Sequence, residues 1–298
     1  MKSPPVFRFA PSPTGLLHLG HAFSALHAYN TAMAANGRFL LRIEDIDHTR
    51  CRPEYVTQIF DDLSWLQLTW EEPVRQQSNH MNDYAKALEK LVALGITYPC
   101  FASRSEIKAE AQRRYGLEAA PRDPDGALIY PGIYRKTGAG ERAKMWAPGK
   151  PSSIRLDMAK AIKLVGNNLT FQELGTRPQG QRGTVLCQPE LWGDVIIARK
   201  DTPTSYHLSV VVDDALQGIT QVTRGEDIFH ATSIHRLLQT LLELPEPQYN
   251  HHRLIRDDNA RRLSKSASDK SLKSLRQEGL SLEQLLSLIK TSEDLAKD

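Results

Sequence analysis

The stretch "VFRFAPSPTGLLHLGHAFSALHAYNTAMAANGRFLLRIED", residues 6–45, decides the fold. It opens with a short apolar run, "VFRFA", which the Pro and Gly of "PSPTG" break. From His18 the chain is Ala-rich, with Leu19, Ala22, Phe23, Leu26 and Tyr29 at helical spacing, and Gly37 stands where such a helix would stop. "RFLLRIED", 38–45, is a second apolar strand. Strand, turn, helix, strand is the βαβ unit of a parallel sheet, so the chain is expected to be α/β with a Rossmann-type sheet.

Working outward, two helices are expected at 53–68 and 80–94, ending near Glu71-Glu72-Pro73 and at Gly95. Between about 97 and 190 Pro and Gly punctuate short irregular runs, as in "PRDPDGALIYPGIYRK" and "APGKPSS", which predicts a loop-rich inserted module. Regular patterning returns at "DVIIARK", "HLSVVVDDAL" and "ITQVTRGED", followed by a helix near 229–243, so the sheet is expected to resume. Leucines at helical intervals on either side of Gly279 predict a short helical tail. The expected division is 1–96 and 191–266 for the two halves of a catalytic domain, 97–190 for an inserted α+β module, and 267–298 for the helical C-terminal segment.

A chain of 298 residues, 40% hydrophobic and 24% charged, has the composition of a folded globular protein. No apolar run reaches the ~18 residues that would span a bilayer, and the first residues lack the apolar core of a signal peptide, so a cytoplasmic address is expected. Cys51, Cys100 and Cys187 are far apart and form neither a disulfide framework nor a self-evident zinc motif. A net charge of +3 is too small to prove a nucleic-acid partner, but basic residues cluster at 135–144 and 251–276.

"LHLGH" admits three readings. Two histidines at i and i+3 reach one metal ion, yet Leu17, Leu19 and Gly20 supply no further ligand. As a phosphate site, the motif sits after a first parallel strand and at a helix N-terminus, where backbone N–H groups and the helix dipole favour anions. Gly20 would let a nucleotide approach the backbone, and His18 and His21 could donate hydrogen bonds to phosphoryl oxygens. The third reading is an ordinary helix start. Far along the chain, "RRLSKS" at 261–266 offers Ser264, Lys265 and Ser266, one mobile ammonium and two hydroxyls suited to a triphosphate. The two motifs together point to ATP.

With these residues the chain resembles the class I aminoacyl-tRNA synthetases, "HLGH" matching their HIGH signature and "RLSKS" their KMSKS signature. "RFAPSPTGLLHLGH", "RIEDID", "SYHLSVVVDDALQGITQVTRGED" and "RRLSKS" are similar, in that order, to the glutamyl subgroup. A full glutamyl enzyme carries a large anticodon-binding region after the KMSKS loop, where this chain has only 267–298. The truncated paralogues with that architecture are the glutamyl-queuosine tRNA(Asp) synthetases, and the resemblance is closer to them.

The resemblance implies ATP with Mg2+ as cosubstrate, L-glutamate and tRNA(Asp) as partners, no membrane, and a monomer. It places Arg8, Phe9, Ala10, Pro11, Ser12, Glu44, Tyr206 and Arg224 around glutamate. Physical chemistry agrees: guanidinium groups at Arg8 and Arg224 suit the side-chain carboxylate, and Glu44 the ammonium. The bland alternatives are an ion pair between strands for Arg8 and Glu44, and a core tyrosine for Tyr206. Many paralogues hold zinc through a Cys-x-Cys pair, a later Tyr and a Cys four residues beyond. Here Cys100 and Tyr130 remain, but Ala102 and Tyr134 stand at the other two positions, so zinc is expected to be absent. Asp45, Asp47, Asp213 and Asp214 are read as caps or orienting groups rather than a metal cluster. Rival readings are the catalytic core of a glutamyl-tRNA synthetase charging a tRNA 3′ end, a catalytically silent tRNA-binding module, and a metal hydrolase.

Overall fold

The computed structural model describes residues 3–137, 151–175, 180, 182–255 and 270–294. Its first strand, β1 (Val6–Phe9), is buried along its whole length and pairs in parallel with β2 (Arg38–Ile43), Phe7 opposite Phe39. The crossover is α1 (Leu19–Ala34). This helix lies close to the sheet because the residues facing it are small: Ala22, Ala25, Ala28 and Ala32 are all buried. After α1, Asn36 takes the left-handed turn (φ 49), and Gly37 is required for space, since a Cβ there would lie 2.6 Å from the carbonyl oxygen of Pro5. The chain continues through α2 (Pro53–Trp65) to β3 (Glu71–Gln76), parallel to β2. The expected helix to 68 therefore ends earlier, and the Glu71-Glu72-Pro73 punctuation belongs to an edge strand, where a proline is tolerated.

Next come α3 (Met81–Ala93), β4 (Thr97–Cys100) and α4 (Arg104–Tyr115). The region expected to be loop-rich also contains β5 (Ser153–Leu156), α5 (Met158–Val165), β6 (Thr170–Glu173) and β7 (Gly183–Leu186). Strands of four residues between turn signals are too short for periodicity to reveal. "DVIIARK" yields β8 (Ile196–Ala198), but it pairs antiparallel with β5, which also pairs with β4. This small sheet crosses the expected C-terminal boundary of the insertion, taking β4 and β5 from within 97–190 and β8 from beyond it. "HLSVVVDDAL" is a helix, α6 (Tyr206–Leu216), buried through Leu208–Asp214; an unbroken apolar run does not separate strand from buried helix.

The remaining elements are β9 (Gln221–Gly225), α7 (Thr232–Leu241), β10 (Gln248–His252), α8 (Leu272–Gln277) and α9 (Leu282–Asp294). Strands β9, β10 and β6 run parallel, with β7 antiparallel at the edge, so the β6–β7 hairpin widens the main sheet. β9 lies beside β1: Thr220 N–H donates to the Val6 carbonyl at 3.0 Å, and Val6 N–H to Thr220 Oγ1 at 2.8 Å. The ladders β3-β2-β1 and β9-β10-β6-β7 meet side by side, the order reversing between β1 and β9, and the crevice beyond the C-terminal ends of these two strands is where such sheets bind ligands. The predicted tail helices, α8 and α9, place Leu272, Leu285 and Ile289 in the core under α1 and α2, and Leu272 N–H donates to the Leu17 carbonyl at 2.8 Å.

Candidate active site

"HLGH" forms the first turn of α1. His18 is its N-cap, with extended backbone (φ −121, ψ 177), and its Nδ1 accepts from Gly20 N–H at 3.1 Å. His21 Nδ1 accepts from His18 N–H at 3.2 Å. A nitrogen that accepts carries no proton, so each neutral ring has its proton on Nε2. The result is two Nε2–H donors on rings tilted 51° to each other with centroids 3.8 Å apart, at a helix N-terminus that favours anions. Gly20 eases this fold-back, because a Cβ would sit 3.0 Å from His18 Cε1 and the ring would have to give way. Both Nδ1 atoms being engaged in capping, and no group of three potential ligands existing among the described residues, the arrangement suits phosphate better than metal. Ser264, Lys265 and Ser266 lie outside the described residues.

Behind the crevice is a buried ionic network. Arg8 grips Asp214 with two bonds, Nε to Oδ1 at 2.9 Å and Nη2 to Oδ2 at 3.2 Å. Arg42, fully buried, donates to Asp214 Oδ1 at 2.8 Å and to Glu44 Oε1 at 3.0 and 3.3 Å. Arg8 and Glu44 are thus each ion-paired, but to these partners rather than to each other. Burial alone would raise the pKa of Asp214, yet Arg8 and Arg42 outweigh it and hold the carboxyl below its usual range. For Glu44 burial prevails over Arg42 and Arg8, and its pKa is raised. Glu44 Oε1 accepts both Arg42 bonds, which leaves Oε2 without a hydrogen-bond partner among the described residues and able to take an ammonium. Its backbone N–H is fixed by the Pro11 carbonyl at 3.0 Å.

A cavity of about 210 Å³ opens in front of this network, lined by Ser12, Thr14, Glu44, Ile46, Asp47, Arg50, Gln77, Arg199, Ser205 and Tyr206. Of the residues expected around glutamate, Ser12, Glu44 and Tyr206 are on its wall. Arg8, Phe9, Ala10, Pro11 and Arg224 are not; Arg8, Phe9, Pro11 and Arg224 are buried behind it. Tyr206 is nevertheless where the charges converge: burial raises its pKa, and Arg224, Glu44, Arg8 and Asp214 all act on it. At the mouth Asp47 accepts from Thr49 at 2.6 Å, Arg50 at 2.9 Å and Arg199 at 3.2 Å. Burial works against its ionisation, but those hydrogen bonds hold its pKa well below the usual range. Asp45 accepts from Ser78 N–H and Oγ and from Gln76, a capping role. Asp213 takes donors from Arg75, Gln77 and Tyr84, tying α6 to β3 and α3.

Arg224, at the end of β9, has three partners: Nε donates to His251 Nε2 at 3.0 Å, Nη1 meets His235 Nδ1 at 2.9 Å, and Nη2 donates to Thr232 Oγ1 at 2.7 Å. Burial, then the Arg224 charge, lowers the His235 pKa well below its ordinary value; burial lowers His207 and His251 to about 4. All three rings are therefore neutral at neutral pH.

The profile of tRNA synthetases class I (E and Q), catalytic domain, matches residues 6–291. The chain belongs to that family. A "Glutamyl-Q tRNA(Asp) synthetase" of Rhodobacter capsulatus is 48% identical over 280 residues, 93% of this chain and 96% of that one. A "Glutamate--tRNA ligase" of Aquifex aeolicus is 35% identical over 95% of this chain and 56% of its own length. A crystal structure of a glutamate tRNA ligase from Elizabethkingia meningosepticum superposes with a TM-score of 0.76 at 25% identity, covering 97% of this chain and 60% of that one.

The residues at the positions expected to hold zinc do not fit that metal. Cys100 S–H donates to the Tyr130 hydroxyl at 3.4 Å, which also accepts Tyr134 N–H at 2.9 Å. Arg155 covers the Tyr130 ring at 3.9 Å, and Ala102 is buried in the same cluster with no donor atom to offer. The two surviving donors are bonded to each other in an aromatic core. Sequence reasoning gave Asp213 and Asp214 too little weight and passed over Glu173, His235 and His251. A pair of carboxylates inside an apolar run requires buried cations, which was the available signal for the aspartates. "QYNHH" carried no strand periodicity, so the histidines of β10 gave none.

Proposed function

We propose that this chain activates L-glutamate with ATP to glutamyl-adenylate and transfers the glutamyl group to the queuosine base in the anticodon of tRNA(Asp). The observation that carries the reading is a small cavity with Glu44 and Tyr206 on its wall and the buried guanidinium groups of Arg8 and Arg224 acting on Tyr206 from behind, a set that complements glutamate. Its partner on the comparison side is the 48% identity to a relative bearing that name, against 35% to a glutamate–tRNA ligase.

In activation an α-carboxylate oxygen bonds to the α-phosphorus of ATP, the bond from that phosphorus to the bridging oxygen breaks, and pyrophosphate leaves. The attacking carboxylate is already ionised, so no general base is needed; positioning and charge stabilisation supply the catalysis. His18 and His21 present Nε2–H donors to phosphoryl oxygens, Gly20 shapes the turn, and Ser264, Lys265 and Ser266 meet the departing pyrophosphate. Arg8 and Arg224 face the side-chain carboxylate, Glu44 the ammonium, Tyr206 and the segment Phe9, Ala10, Pro11 and Ser12 the body of the amino acid. Mg2+ travels with ATP, zinc is not held in the insertion, and the working form is a cytoplasmic monomer.

Labelled glutamate supplied with ATP to tRNA(Asp) with and without queuosine tests the reading. Label confined to the queuosine-containing tRNA, and to its anticodon fragment after ribonuclease digestion, is expected. Equal labelling of both, or label on the 3′-terminal fragment, rejects it in favour of 3′-end charging.

A further inference from the structure

Arg224 ends two hydrogen-bonded arms that run away from the cavity through neutral histidines. Because Arg224 Nε–H donates to His251 Nε2, that nitrogen carries no proton, and the ring's hydrogen is on Nδ1. Nδ1–H then donates to Glu173 Oε2 at 2.6 Å. Glu173 sits on β6, its other oxygen accepting the backbone N–H of His251 at 3.0 Å and of Gly175 at 2.8 Å. Gly175 lets the chain wrap this carboxylate, since a Cβ would lie 2.8 Å from Oε1 and 2.6 Å from the His251 carbonyl. The second arm follows the same rule. His235 Nδ1 accepts from Arg224, so its Nε2–H donates to His207 Nδ1 at 3.2 Å.

We infer that Glu173 is a positioning residue for substrate recognition: by holding the hydrogen of His251 on Nδ1 it keeps Nε2 an acceptor, and that acceptor aims the Arg224 guanidinium. A guanidinium has one N–H on Nε and two on each Nη. Three are engaged by His251, His235 and Thr232, leaving one on each Nη to meet a carboxylate. The inference rests on the proposal that Arg224 meets the glutamate side chain. It adds that Arg224's direction is set from two strands away, on β6, by a carboxylate that never touches substrate. Glu173 is buried, and its hydrogen-bond partners among the described residues are three: the backbone N–H groups of Gly175 and His251 and the His251 imidazole.

The sharpest variant is Glu173→Gln. Its amide can place oxygen toward the two backbone donors and NH2 toward His251, or the reverse. The reverse confronts two backbone N–H groups with a donor, whereas the first confronts only one, Arg224 Nε–H, after His251 has moved its hydrogen to Nε2. The first arrangement therefore prevails, and Arg224 loses its guide. In glutamate-dependent ATP–pyrophosphate exchange, KM for glutamate is expected to rise roughly tenfold or more while KM for ATP stays within about twofold. In a His251→Gln background, whose amide oxygen still accepts from Arg224, adding Glu173→Gln is expected to change KM for glutamate less than about twofold.

Nitrogen-15 spectra of the full chain without substrate read the tautomer directly: Nδ1–H for His251 in the wild type, Nε2–H in Glu173→Gln. An unaltered KM for glutamate in a folded Glu173→Gln, or a rise shared equally by ATP, overturns the inference. So does Nε2–H in the wild type, a result that needs no variant to fold. A wild type inactive with glutamate would instead overturn the proposed substrate, and the tautomer measurement would still decide whether Glu173 governs His251.

Discussion

The backbone N–H of His18 donates to Nδ1 of His21 at 3.2 Å, so one histidine of the helix start fixes the tautomer of the other. The same motif caps α1 and aims two Nε2–H donors. Cap and chemistry are separable: His18→Asn keeps a good N-cap but removes the Nε2 donor, whereas His18→Ala removes both. Asn is expected to slow pyrophosphate exchange by about 10²–10³-fold with little change in thermal stability. Ala is expected to match that loss and also to cost about 0.5–2 kcal/mol by denaturant unfolding. Equal stability for the two variants would contradict the capping geometry.

Asp214 holds two buried guanidinium groups at once, Arg8 at 2.9 Å and Arg42 at 2.8 Å. Removing it leaves cations in the core with too few partners. Asp214→Ala is expected to cost about 3–5 kcal/mol in urea unfolding, the range for breaking a buried pair from one side. Saturating glutamate should not restore the loss, because Arg42 does not line the cavity.

Lys265 is proposed to meet charge that develops on pyrophosphate, not charge present on glutamate. Lys265→Ala is therefore expected to slow adenylate formation sharply while glutamate binding, followed by isothermal titration, changes little. Unchanged pyrophosphate exchange would remove lysine from the mechanism.

Arg276 on α8 donates to Asp62 on α2 at 2.8 Å, docking the C-terminal helices. Burial nevertheless raises the Asp62 pKa from 3.8 to about 6, more than Gln58 and Arg276 lower it. Between these values the folded chain binds a proton that the unfolded chain does not, so this group's contribution to stability grows as pH falls through 6 and levels off below about 4. Thermal unfolding of wild type and Asp62→Asn across pH 7 to 4 should show that increment in wild type and not in the variant. A parallel pH dependence in both would place the titration elsewhere.

The βαβ opening was legible because "VFRFA" and "RFLLRIED" are apolar runs between strong breakers, and because Gly37 can be read without knowing that it makes room for Pro5. "HLGH" was legible as a helix start after the first strand. What escaped were features that depend on partners distant in sequence. The apolar run of α6 does not separate helix from strand, because Leu208–Asp214 are all buried, and β3 and β10 are polar segments made into strands by their neighbours. Arg8 and Arg224 could be chosen as carboxylate binders from charge alone. The acids and histidines that orient them, Asp214, His251 and Glu173, stand up to 206 residues away from the group they serve.

The insertion offers a test by construction. Cys100 and Tyr130 are already within hydrogen-bond reach, at 3.4 Å, and Ala102 and Tyr134 belong to the same cluster. A structural zinc needs about four ligands, so the wild type should retain its unfolding temperature after treatment with a strong chelator. Ala102→Cys combined with Tyr134→Cys supplies the two missing thiolates, and this double variant is expected to bind one zinc and to gain a chelator-sensitive rise in unfolding temperature. The single variants, with three donors each, should bind far more weakly. Stoichiometric zinc in the wild type, removed together with its stability by chelation, would show that the hydrogen bond between Cys100 and Tyr130 yields to metal after all.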